Sequence, residues 1–154
     1  MSSESISIVR GIYEAFGRGD VPAVLETLDD EIEWAEPEAR QLPWAGVHRG
    51  KSAVAEVFAT LPVTWDEFRL EPGESLDAGS AVVVTGETYG WAKDGGSLRA
   101  PFAHVWKLWE EKVAAFSNYT DTAAFLEALR GMNKATDEQA IVPSHQILER
   151  RRPR

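Results

Sequence analysis

The chain begins with hydrophobic residues at helical spacing and then changes to alternation. Val9, Ile12, Tyr13 and Phe16 fall at i, i+3, i+4 and i+7, as do Val21, Val24, Leu25 and Leu28, and again Val54, Val57, Phe58 and Leu61. Each set makes one apolar stripe on a helix. Gly17 and Gly19 close the first helix, Asp20 is placed to cap the second, and Pro22 suits its first turn. A short strand over 31–36 lies between the second and third helices, with Ile32, Trp34 and Glu36 on one face and Pro37 ending it. The loop through Leu42, Pro43, Trp44, Ala45 and Gly46 is apolar enough to fold over something.

From Trp65 the period becomes two. Strands are predicted over 65–71, ended by Pro72-Gly73, then over 81–91, 97–109 and 113–120. Asp94-Gly95-Gly96 is a hairpin signal, and Gly86 and Gly90 mark a bend in the sheet. Asp121 caps a last helix over 122–129, with Gly131 just past its end. Residues 132–154 are polar and unpatterned, apart from Ile141, Val142 and Pro143, and are expected to be a tail to a single domain over 1–131. Helices followed by a run of long antiparallel strands make an α+β pattern.

Composition removes several function classes. The chain has 154 residues and no cysteine, which excludes disulfides, zinc-thiolate sites and thiol nucleophiles and fits a reducing, cytoplasmic setting. No signal-like or membrane-length apolar run is present in the sequence. A net charge of −9 argues against a nucleic-acid partner, and the basic cluster Arg150, Arg151, Arg152 and Arg154 sits at the extreme end, where an untethered terminus explains it. His48, His104 and His145 have no metal-ligand spacing, and no Gly-rich phosphate loop follows a strand, so no metal or cofactor is expected. Six tryptophans suit either a core or a broad apolar cavity.

The candidate chemistry lies on the strands. Over 101–121, alternation puts Phe102, His104, Trp106 and Leu108 on one face, opposite Phe116, Asn118 and Thr120 of the next strand. Glu36 shares a face with Trp34 and, if that face looks inward, is a desolvated carboxylate able to act as a base. His104 is a pocket wall or a satisfied core imidazole. Asn118 can orient or donate but is no base at neutral pH. Tyr13 lies on a buried stripe, where its hydroxyl serves either packing or donation. Trp34, Trp44, Trp106 and Phe116 are pocket walls or core, two roles that sequence does not separate. Asp121 is explained by capping.

The order helix, helix, strand, helix and then four long strands resembles the nuclear-transport-factor-two-like superfamily, and local signatures resemble its SnoaL-like and ketosteroid-isomerase-like branch. These are Tyr13-Glu14-Ala15-Phe16 followed by Gly19-Asp20, Trp34-Ala35-Glu36-Pro37, Val47-His48-Arg49-Gly50-Lys51, Phe102-Ala103-His104-Val105-Trp106, and the strand over 112–121. Their order and spacing carry the resemblance, over residues 6–129.

What the resemblance implies is a cone-shaped, cystatin-like fold, in which a curved antiparallel sheet wraps around the N-terminal helices and encloses a largely apolar cavity. It also implies a homodimer through the outer sheet face. By resemblance Glu36 stands where ketosteroid isomerases carry a general base, and His104 where they carry an acid that donates to the oxyanion. Asn118 departs from the SnoaL-like cyclases, which carry an acidic residue there. The function expected is an acid–base isomerase or cyclase acting on a small hydrophobic ketone or polyketide-like ligand, with Glu36 as base and His104 and Asn118 as helpers. Two alternatives stand beside it: a non-catalytic small-molecule-binding or interaction module, and a hydrolase or dehydratase using a Glu36-activated water. The fold itself does not choose among them.

Overall fold

The computed structural model describes residues 2–93 and 95–138. Asp94, His145, Ile141 to Pro143 and the terminal arginines lie outside the described residues. The order is α1 (Ser2–Gly17), α2 (Val21–Glu26), β1 (Leu28–Glu36), β2 (Gly46–Arg49), α3 (Lys51–Thr64), β3 (Trp65–Asp77), β4 (Ala81–Ala92), β5 (Ser97–Trp109), β6 (Lys112–Thr120) and α4 (Thr122–Glu138). One six-stranded sheet has the order β2-β1-β6-β5-β4-β3. All neighbours are antiparallel except β1 and β6, which run parallel because the chain crosses from one half of the sheet to the other between them.

The N-terminal helices form as their patterns dictate. Val9, Ile12 and Tyr13 are buried, and the Asp20 carboxylate accepts from the Ala23 N–H at 3.2 Å, capping α2. Leu28 is not the last residue of α2 but the first of β1, where it is fully buried. A helical stripe and a strand start look the same when one residue serves both.

Two other boundaries differ from the sequence reading. β3 continues through Pro72-Gly73 to Asp77, with its register to β4 shifting between Pro72 and Ser75. β3 is an edge strand, so the missing proline N–H costs no ladder bond on its open side. Opposite the shift stands Gly86, where an added Cβ would collide with the Glu71 carbonyl oxygen and lie 2.7 Å from the Phe102 ring. The bend expected at Gly86 is therefore a close backbone approach. α4 runs through Gly131 to Glu138, a tolerable continuation because glycine inside a helix costs only about 1 kcal/mol.

The buried side chains form two clusters. One joins α1, α2 and α3 to the concave face of the sheet through Val9, Ile32, Val54, Trp106 and Phe116. The other gathers Leu42 and Trp44 of the apolar loop with Trp65, Leu98 and Phe125 at one end of the sheet. The loop thus folds over the sheet end and α4. No described helix is long and apolar enough to cross a membrane.

Candidate active site

Strand register brings the singled-out residues together. Between β5 and β6, Phe102 faces Thr120, His104 faces Asn118 and Trp106 faces Phe116. Between β1 and β6, Trp34 faces Phe116, so Glu36, two residues on, reaches the level of Asn118. The Asn118 Nδ2–H donates to Glu36 Oε1 at 2.9 Å, and Trp34 Nε1–H donates to Glu36 Oε2 at 2.8 Å. Leu108, at the frayed end of the alternation, is only half-buried, because the β5–β6 register shifts between Lys107 and Leu108.

A second set of bonds lies behind His104. Trp106 Nε1–H donates to the Tyr13 hydroxyl oxygen at 3.0 Å, and that oxygen is 2.6 Å from His104 Nδ1. The imidazole stacks on Phe102 with ring centres 3.9 Å apart and lies nearly parallel to the Tyr13 ring. It is 4% exposed.

Burial sets the charge states. It pushes the Glu36 carboxyl above the usual carboxylate range, against the hydrogen bonds from Asn118 and Trp34 and the charge of His48. It pushes His104 down to about 3, the facing Asn118 amide acting the other way, so the imidazole is neutral near pH 7. Tyr13 is pushed up by burial, opposed by the Trp106 N–H.

Glu36, His104 and Asn118 line one chamber of about 70 Å³, walled by Trp34, Trp44, Phe58 and Phe125. Tyr13, Trp106 and Phe116, expected at the ligand surface, are not part of its lining. They fill the space behind it, Phe116 stacked on Trp34 at 3.9 Å and Trp106 packed against Phe116 at 4.5 Å. The hollow is correspondingly small. A polar residue missed in the sequence, Thr88, also lines it and is 2% exposed. Its signal was its place on the β4 face shared with Val82 and Val84. His48, which the sequence offers only within a motif and as a histidine without metal-ligand spacing, bonds the Trp44 carbonyl at 2.8 Å and so ties the loop to β2.

Phe16, Phe58, Leu61 and Phe68 stand between this chamber and a wider outer groove of about 710 Å³, because all four line both. On the other side, Glu36 and Asn118 also border a shallow outer depression with Pro37 and Tyr119. Glu36 as a residue is half-buried, consistent with that second exposure. Among the described residues no cluster of His, Asp and Glu could hold a metal ion.

The profile of the SnoaL-like domain matches residues 9–116. An NTF2-like protein of unknown function from Burkholderia pseudomallei is 30% identical, with a TM-score of 0.78 over 82% of this chain and 97% of that one. TerC, crystallised with polyporic acid, is 24% identical, with a TM-score of 0.75 over 82% and 98%. A protein of Xanthomonas campestris pv. campestris, provisionally described as a polyketide cyclase, is 17% identical, with a TM-score of 0.67 over 82% and 97%. The last two likenesses are of fold. No curated protein matches the sequence.

Proposed function

Because the chain belongs to the SnoaL-like domain family, we propose that it is an acid–base enzyme acting on a small hydrophobic ketone or polyketide-like compound. Glu36 takes a proton from the carbon next to the carbonyl, and the oxygen that gains charge is held by N–H donors of His104 and Asn118. The observation that carries this reading is one carboxylate and one imidazole on the same chamber, with Asn118 lining it too and 2.9 Å from the carboxylate. Desolvation raises the basicity of Glu36, which moves a carboxylate toward useful base strength at neutral pH. Tyr13 acts only through His104. The chamber admits a small reactive head, and the body of a longer ligand would lie in the adjoining groove past Phe58 and Phe68.

The test begins with a thermal-shift screen of hydrophobic ketones, followed by NMR and mass spectrometry of the recovered compound. An isomerised or cyclised product is expected, and Glu36→Gln should lower turnover by about 10²–10⁴-fold with the fold kept. Full turnover in that variant would remove Glu36 from the chemistry. A mass change of one water would point instead to hydrolysis or dehydration.

A second reading is a binding module. It is favoured by the small chamber and by the fact that both Glu36 oxygens already hold donors, as in a purely structural network. It predicts ligands that stabilise the protein and are recovered unchanged.

A further inference from the structure

The hydrogen bonds around His104 fix more than its position. Indole N–H is a donor only, so Trp106 commits the Tyr13 oxygen to accepting one bond. Tyr13 has a single proton and is buried, and its other neighbour at bonding distance is His104 Nδ1 at 2.6 Å. Were Nδ1 to donate instead, the tyrosine proton would be left without a partner in the core, a costly arrangement for a buried donor. On the far side, a carboxylate only accepts, so Asn118 turns its NH₂ toward Glu36 and leaves Oδ1 as its free end. That oxygen is buried with no hydrogen-bond partner within bonding distance, and Asn118 stands opposite His104 in the β5–β6 register.

We infer that Tyr13 sets the tautomer of His104, holding its one ring proton on Nε2, where it faces Asn118 Oδ1 and the chamber. Every donor along Trp106, Tyr13, His104, Asn118 and Glu36 then points the same way, toward the carboxylate. His104 is a fixed hydrogen-bond donor and not a proton shuttle, and Tyr13 is its positioning residue. The chemical class of the ligand head follows. It is a hydrogen-bond acceptor, such as a carbonyl or enolate oxygen, able to replace Asn118 Oδ1 on Nε2–H. A head that offers only donors, such as an ammonium, would leave that N–H unmatched. The ligand class rests on the function proposed above; the tautomer does not.

The experiment is ¹⁵N–¹H NMR of the imidazole nitrogens in protein labelled at histidine, with His104→Gln to assign the signals. The expected spectrum near pH 7 has Nε2 protonated and Nδ1 bare and hydrogen-bonded, and Tyr13→Phe should turn this into a mixed population. A proton on Nδ1 in the unmodified protein, or a Tyr13→Phe spectrum unchanged at His104, would overturn the inference. If Tyr13→Phe does not fold, the unmodified protein's spectrum decides alone. Once a substrate is in hand, Tyr13→Phe should lower kcat by about tenfold with KM little changed. Inactivity of the protein toward every ketone would sink the reading of Glu36 and leave the spectrum as it is.

Discussion

His104 shows how much a single residue commits the protein. Its imidazole, held neutral by burial, has a folded-state pKa of about 3 against the usual 6.5. The sign follows from proton counting. Below pH 6.5 the unfolded chain binds a proton at this residue that the folded chain refuses, so stability is full above 6.5 and falls as the pH drops toward 3. The slope approaches about 1.4 kcal/mol per pH unit. Glu36, with its pKa raised, acts in the opposite sense: its ionisation destabilises the fold, and stability returns as the pH falls through its folded value. Denaturant unfolding between pH 7 and pH 4 should therefore show a loss in the native protein that is shallower in His104→Gln. Equal slopes in the two proteins would mean that His104 does not carry the effect. That His104 and Asn118 face one another was legible beforehand from the alternation of two adjacent strands, whereas the inward turn of Glu36 stood only as a condition. What alternation does not give is volume. Trp106 and Phe116 share those faces, and nothing in a two-residue period says whether a ring lines a hollow or fills it.

At the scale of elements, the β5–β6 hairpin carries an unrelieved strain. Its turn places Glu110 at φ 51° and Glu111 at φ 67°, left-handed positions that glycine and asparagine occupy more easily. Glu110→Asn with Glu111→Gly should stabilise by about 1 kcal/mol, raising Tm by about 2–4 °C in a domain of this size. A lowered Tm would mean the two glutamates hold contacts that outweigh their backbone cost. Long, regular elements were the legible ones: α1, α3, β4, β5 and β6 follow their hydrophobic periods. β2 was not legible, since its four residues, Gly46 to Arg49, alternate between half-buried and exposed and show no buried face. β3 was cut short at Pro72-Gly73 because whether a strand lies at an edge, which decides if proline is tolerated, depends on the order of strands and not on local sequence.

For the whole molecule, the sheet order matters most. Placing β6 between β1 and β5 is what sets Glu36 beside Asn118 and across from His104, three residues drawn from distant parts of the chain. The parallel β1–β6 contact that does this could not be read from any one segment. It also puts the carboxylate at a boundary, with the inner chamber on one side and the depression beside Pro37 and Tyr119 on the other. A base placed there has two neighbours to trade with, the bound compound and the surrounding solvent. Hydrogen removed from the compound would then be lost to bulk faster than it is handed back, so turnover in heavy water should leave deuterium on the product carbon. Product formed without the isotope would show that Glu36 keeps its hydrogen inside, and that the outer dimple is only relief on the surface.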